Sequence, residues 1–292
     1  MGKTMQLKFL IYRILKKITS KVEILIGDKN LQESYVKNSN YNHSMVDLNE
    51  KYYLKQYLFH CKKHLDNLPN NFKCLDLGSG DGRFVMYILK NYKDALIEAC
   101  DIDKKSLNSI YKKINSKLKT RVVLENTSIS EKLKKVTGYY DLILFTEVAI
   151  YLPNWQESFN KAVSLLNKNG IIIFSTRSQY YQALSIIKNK NFKNLNLVMN
   201  KREGEIFDRQ KTVFTWNTSK EIKDIFFKNK LEILNTTGIG CLSGIENDII
   251  SYNEPKNLNE KEQKILLESE AIIGNLLPDT GRYILTIGRK TL

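Results

Sequence analysis

The stretch CLDLGSGDGRF, residues 74–84, decides the fold. Cys74-Leu75-Asp76-Leu77 reads as the end of a short buried strand, and Phe84 to Leu89 has the apolar density of a helix packing back onto it. Between them Gly78, Gly80 and Gly82 stand at alternate positions. Lacking a Cβ, they can take positive φ and bring backbone amides against a bound molecule. A Walker-type phosphate loop needs Lys followed by Ser or Thr after its last glycine, whereas Arg83-Phe84 follow here. The dinucleotide fingerprint needs G-x-G-x-x-G, and Arg83 occupies the place of the third glycine. Asp76 and Asp81 flank the turn; their charge disfavours a pyrophosphate and suits a cation, or ammonium and hydroxyl donors.

Downstream, Ala95 to Asp103 is a second strand ending in Asp101, and Arg121 to Ile129 a third strand with its loop. Tyr140 to Val148 is a fourth strand opened by Asp141, and a glycine stop at Asn167-Lys168-Asn169-Gly170 precedes a fifth strand, Ile171 to Thr176. Together with the acid-x-G-x-G-x-G run, this order resembles the class I S-adenosylmethionine-dependent methyltransferases over about residues 50–177, with a tail at 218–290. The resemblance implies an α/β fold: a Rossmann-like, seven-stranded, mostly parallel sheet with helices on both faces. It also implies an N-terminal helical leader and cofactor cover over residues 1–68, and a catalytic domain over 69–292 with insertions at about 178–217 and 241–280.

The cofactor so implied is S-adenosyl-L-methionine. Asp76, Gly78, Ser79, Gly80 and Gly82 fall at its methionine end, and Asp101 at the ribose diol. Ile102 and Ile129 are expected to sandwich the adenine, with Ser128, or Asn126 as its rival, accepting from the adenine amino group. Glu147, near the end of the fourth strand, counts among both cofactor-binding and catalytic candidates; Tyr151 stands where many small-molecule members carry histidine. His43, in the leader, is a third catalytic candidate. Thr146-Glu147-Val148-Ala149 replaces the Asn/Asp-Pro-Pro-aromatic motif of enzymes that methylate base nitrogens, so a small-molecule acceptor is the reading preferred. Alternatives are a methyltransferase acting on RNA or protein, and a non-catalytic cofactor-binding scaffold. Arg177 and Arg209 are candidates for holding an anionic substrate, with a surface salt bridge as the plain alternative. In the first insertion Phe207, Phe214 and Trp216 are read either as a substrate wall or as core.

A chain of 292 residues, 42% hydrophobic, can bury a full core. No apolar run reaches the roughly 18 residues of a membrane span. The four cysteines, Cys61, Cys74, Cys100 and Cys241, are widely separated, which suggests neither a disulfide framework nor a metal site and fits a reducing, cytoplasmic setting. His60 and His64, at i and i+4, lack a third ligand nearby and read as surface residues. The formal charge of +15 is spread over lysines in nearly every segment and reads as a solvated basic surface; nucleic acid is left open but not favoured. Met5 to Ile18 is a basic amphipathic helix expected to dock, within residues 1–26, on the folded domain, with peripheral membrane contact as the second reading. The oligomeric state is not legible.

Overall fold

The computed structural model describes residues 48–206, 213–243 and 254–291. The N-terminal amphipathic segment, His43, Phe207 and Arg209 lie outside the described residues. Helix α1 (Leu48–Leu65) leads into β1 (Lys73–Leu77), α2 (Arg83–Asn91), β2 (Leu96–Asp101), α3 (Lys104–Lys113), the short α4 (Ser116–Lys119), β3 (Val122–Asn126), α5 (Ile129–Lys135) and β4 (Tyr140–Phe145). There follow α6 (Trp155–Ser164), β5 (Leu166–Arg177), α7 (Gln179–Lys188), α8 (Leu195–Asn200), and the small pair β6 (Glu203–Gly204) and β7 (Phe214–Thr215). The chain continues through α9 (Ser219–Lys228), β8 (Leu231–Ile239), α10 (Glu260–Leu276) and β9 (Tyr283–Lys290).

The main sheet has seven strands in the order β3-β2-β1-β4-β5-β9-β8. Strands β1 to β5 pair in parallel, and β9 is antiparallel to both of its neighbours. The expected seven-stranded, mostly parallel architecture is what the chain adopts. Because helices cover both faces, the central strands are continuous apolar runs whose successive side chains feed opposite cores. Cys74, Leu142, Leu144, Ile171 and Ile173 join one core with Tyr53, Tyr57, Cys61 and Leu65 of α1 and with α2 and α3. Leu75, Ile143, Phe145, Ile172 and Phe174 join the other, with Trp155 and Phe159 of α6 and Ile222 and Phe226 of α9. The fifth strand starts earlier than its apolar run: Leu166 pairs with Tyr140, and the pairing then shifts to Leu142 with Ile171, absorbing the glycine stop as a bulge.

Two helix starts carry the cap signals of their sequence. Thr218 and Asn259 form capping boxes with Glu221 and Glu262. The strand order reverses between β1 and β4, and in open α/β sheets the crevice beyond the carboxyl ends at such a switch point is where ligands bind. The glycine turn lies there.

Candidate active site

Leaving β1, the backbone turns through Gly78, Gly80 and Gly82 at φ of +80°, +50° and +82°. The Gly78 and Ser79 amides donate to the Cys100 carbonyl at 2.9 and 3.0 Å, which ties the turn to the end of β2. A Cβ at Gly78 would stand 2.8 Å from Val148 Cγ2, and one at Gly82 2.7 Å from Ile110 Cγ1, so these two glycines are demanded by packing as well as by φ. At Gly80 a Cβ would meet no protein atom within 4 Å. The middle glycine therefore opens a cradle. Beside it Ser79 Oγ is buried with no partner among the described residues.

Two carboxylates underlie the cradle. Asp101 accepts from the Gly80 amide through Oδ2 and from the Asp103 amide through Oδ1, each at 2.8 Å. Burial pushes its pKa up while those amides pull it back. Asp76, 3% exposed, is raised to about 7 by burial and by the neighbouring Asp101, against the pull of Arg83. Its folded-state pKa exceeds the ordinary value, so between about pH 4 and 7 the folded protein holds a proton that the unfolded chain releases, and this group's contribution to stability declines as pH rises through that window. A ligand ammonium needs the carboxylate form. Affinity for S-adenosylhomocysteine is accordingly expected to be about tenfold weaker at pH 6 than at pH 8, and the difference to vanish in Asp76→Asn. Calorimetric titration at the two pH values measures this; a pH-independent affinity in the parent would remove Asp76 from the ammonium site.

Glu147 sits just past β4 in left-handed backbone, φ +58°, an uncommon conformation for a side chain of this kind and a mark of local constraint. Its amide donates to Ser175 Oγ at 2.9 Å, and the same hydroxyl pairs with Tyr57 Oη at 3.0 Å. Its carboxylate accepts from Arg83 Nη1 at 2.7 Å, while Arg83 Nη2 reaches Glu50 at 2.6 Å. Burial raises the proton affinity of Glu147, but Arg83, aided by Arg282, outweighs it and holds the carboxyl below its ordinary range. Glu147 is thus an ionised, weakly basic group, suited to facing a cation. Glu50 and Glu147 pair with Arg83, which also acts on Asp76, and Asp101 acts on Asp76 in turn; these carboxylates outnumber the two guanidinium groups, Arg83 and Arg282, that act on them, an excess of negative charge when all are ionised.

The other candidates are placed as follows. Tyr151 ends a one-turn helix after β4, half-buried, its ring 5.9 Å from that of Phe214. Ile102 is half-buried after β2, whereas Ile129 is 6% exposed inside the second core. The Ser128 hydroxyl accepts from the Glu131 amide at 3.2 Å, capping α5. The spacing of Ser128 and Glu131 already carried that signal, since a serine followed three residues later by glutamate opens helices. Asn126 donates to the Asp101 and Ile102 carbonyls at 3.0 and 2.9 Å, bracing β2 against β3. Trp216 is fully buried and donates from Nε1 to the Val198 and Lys201 carbonyls at 3.0 and 2.8 Å; it is core, as Phe214 is at 3% exposure. His60 is not a surface residue: it is 6% exposed, lies 3.3 Å from Asn235 Nδ2, and burial, with Lys63, lowers its pKa to about 4. Nor is Arg177 a surface ion-pair residue, for it is 7% exposed. Sequence reading missed Glu50, Tyr57, Arg83 and Ser175. Only Arg83 carried a signal, as a charge at the start of a buried helix.

Among the described residues no helix is long and apolar enough to cross a membrane. The profile of the family described as "Methyltransferase domain" matches residues 68–230. Two curated relatives are similar in sequence. The malonyl-[acyl-carrier protein] O-methyltransferase 2 of Ilyobacter polytropus is 28% identical over 40% of this chain and 44% of that protein. The malonyl-[acyl-carrier protein] O-methyltransferase of Halalkalibacterium halodurans is 28% identical over 35% and 38%. The matches thus span less than half the length of either relative. Among solved structures, magnesium protoporphyrin IX methyltransferase from Synechocystis, with S-adenosylhomocysteine bound, aligns at a TM-score of 0.55 and 15% identity, over 90% of this chain and all of that one. An S-adenosylmethionine-dependent methyltransferase structure from Listeria monocytogenes aligns at 0.51 and 17%, over 81% and 98%. At such identities the likeness is one of fold. The glycine turn, the acid closing β2 and the strand order all fall within the matched family segment or its sheet, and the chain belongs to the methyltransferase domain family.

Proposed function

We propose that the protein transfers a methyl group from S-adenosylmethionine to a small-molecule acceptor at the carboxyl ends of β4 and β5. The observation that carries this reading is the open cradle at Gly80, flanked by an unpartnered buried Ser79 hydroxyl and the carboxylates of Asp76 and Asp101. These groups fit the cofactor: Asp76 for its ammonium, Ser79 and the glycine backbone for its methionine end, Asp101 for the ribose hydroxyls, and Ile102 against the adenine. Ser128 and Ile129 line the adenine side through their backbone, their side chains being taken up by the helix cap and the core. When bound, S-adenosylmethionine supplies a methyl group already activated on a sulfonium. The chain's own residues then need to align the acceptor, exclude water and, for a hydroxyl acceptor, move a proton.

The excess of carboxylates stabilises a cation at the cradle. Arg83 and the Ser175 hydroxyl hold Glu147 in its left-handed turn facing the strand ends. In this reading Tyr151 meets the acceptor, its half-buried place after β4 supporting that role, and Glu147, ionised and weakly basic, acts electrostatically. The acyl-carrier O-methyltransferase relatives support an oxygen acceptor. Four buried cysteines, whose thiols are all raised by burial, are consistent with a reducing cytoplasm.

Two measurements test the reading. Calorimetry should show S-adenosylhomocysteine binding, and its absence would end the proposal. Incubation with methyl-labelled S-adenosylmethionine and a fractionated extract should place label in the low-mass fraction; label in RNA or protein would replace the acceptor class. Once an acceptor is known, Glu147→Gln and Tyr151→Phe should lower turnover more than they weaken S-adenosylhomocysteine binding, and unchanged turnover in both would leave alignment alone as the mechanism.

A further inference from the structure

The last residue of β5 is a guanidinium shut inside the protein. Arg177 is 7% exposed, and its charge centre lies 4.7 Å from the ring centre of Tyr181 and 4.4 Å from that of Tyr283. Nη2 donates to Tyr283 Oη at 3.1 Å, but Nε and Nη1 have no partner. No carboxylate stands within ion-pair distance of it among the described residues. A second guanidinium, Arg282, lies 5.8 and 5.6 Å from the same two rings.

Such an arrangement is costly as a purely structural device. Tyrosine faces attract a cation, yet a buried charge with idle donors carries a desolvation penalty that aromatic contact offsets only in part. Packing alone would be served by an uncharged side chain. The location matters as much: β9 begins beside the end of β5, with Arg177 paired to Tyr283 in register, so this cluster shares the sheet edge that presents Glu147 and Tyr151. Arg282 acts electrostatically on Glu147, and Tyr151 on Arg177. Along that edge charge changes sign, from the carboxylates around the glycine cradle to the two guanidinium groups at β5 and β9. One end suits a cation and the other an anion.

We propose that Arg177, clamped between Tyr181 and Tyr283 and seconded by Arg282, forms an anion subsite that takes a carboxylate of the acceptor and so orients it toward the methyl group. This rests on the methyltransferase reading and names the acceptor's chemistry: a small molecule with a free carboxylate that Arg177 Nε and Nη1 bind directly.

The test uses succinate as the carboxylate probe, succinamide as its neutral counterpart and inorganic phosphate as the competing anion, at matched ionic strength with S-adenosylhomocysteine present. Succinate should raise the melting temperature saturably, and succinamide should not. Arg177→Gln should weaken the apparent succinate affinity at least tenfold while still binding S-adenosylhomocysteine. Should Arg177→Gln not fold, Arg177→Lys decides, because it keeps the charge and loses the planar fork, and the same tenfold loss is expected. A succinate response matched by succinamide, or kept in the foldable variant, overturns the proposal; so does a response to phosphate without one to succinate, which would assign the site to a phosphoryl group. S-adenosylhomocysteine binding without a succinate response refutes the anion subsite alone, whereas failure to bind S-adenosylhomocysteine refutes the methyltransferase reading.

Discussion

Trp216→Ala is expected to destabilise the protein by about 3–5 kcal/mol, the cost of removing a fully buried aromatic side chain whose site cannot collapse. The indole is 0% exposed and bonds the carbonyls that close α8, at Val198 and Lys201. Its loss therefore opens a cavity and strips two backbone acceptors of their donor. Urea denaturation measures the change, and S-adenosylhomocysteine affinity at a temperature where the variant is folded should stay within about twofold, because Trp216 lies in the first insertion and not in the cradle. A variant of unchanged stability that lost only turnover would make Trp216 a wall of the acceptor pocket instead.

Asp101→Ala should weaken S-adenosylhomocysteine binding by about 1.5–3 kcal/mol, or roughly tenfold to 150-fold, with calorimetry as the measure. Two effects combine in that loss. The carboxylate is the expected acceptor for the ribose diol, and it also holds the Gly80 amide at 2.8 Å, so the cradle loses a restraint along with a ligand contact. Asp101→Asn separates them, since its amide oxygen can keep one backbone bond but brings no charge. Equal affinity in Asp101→Ala and the parent would show that the ribose is held elsewhere.

Local patterns told the sequence reader most of the fold. Apolar runs bounded by glycine, acid and cap residues report strands and helices because their burial and backbone conformation depend on neighbours only a few positions away. The left-handed backbone of Gly78, Gly80 and Gly82, the acid at the end of β2, the α10 span from Glu260 to Leu276 and the Thr218 cap were legible for that reason. What remained hidden was set by contacts distant in sequence. Glu50 reaches Arg83 across 33 positions, Tyr57 reaches Ser175 across 118, and Tyr283 reaches Arg177 across 106. No periodicity encodes such pairings.

The same cause explains where reading of the residues departed from the structure. His60 reads as a surface residue until the last strands pack over its helix. Arg177 reads from the sequence as a candidate anion holder or as half of a surface salt bridge, with nothing to show its burial. Only the meeting of β5 with β9 buries it between two tyrosines, because the antiparallel strand returns to the very edge at which β5 ends. The sequence by itself determined the glycine turn, written in short-range spacing, and, through its resemblance to the class I methyltransferases, the sheet and the cofactor. The tertiary structure decided which charges face one another along the edge of that sheet, since burial and electrostatic partners arise only when separate segments are brought together.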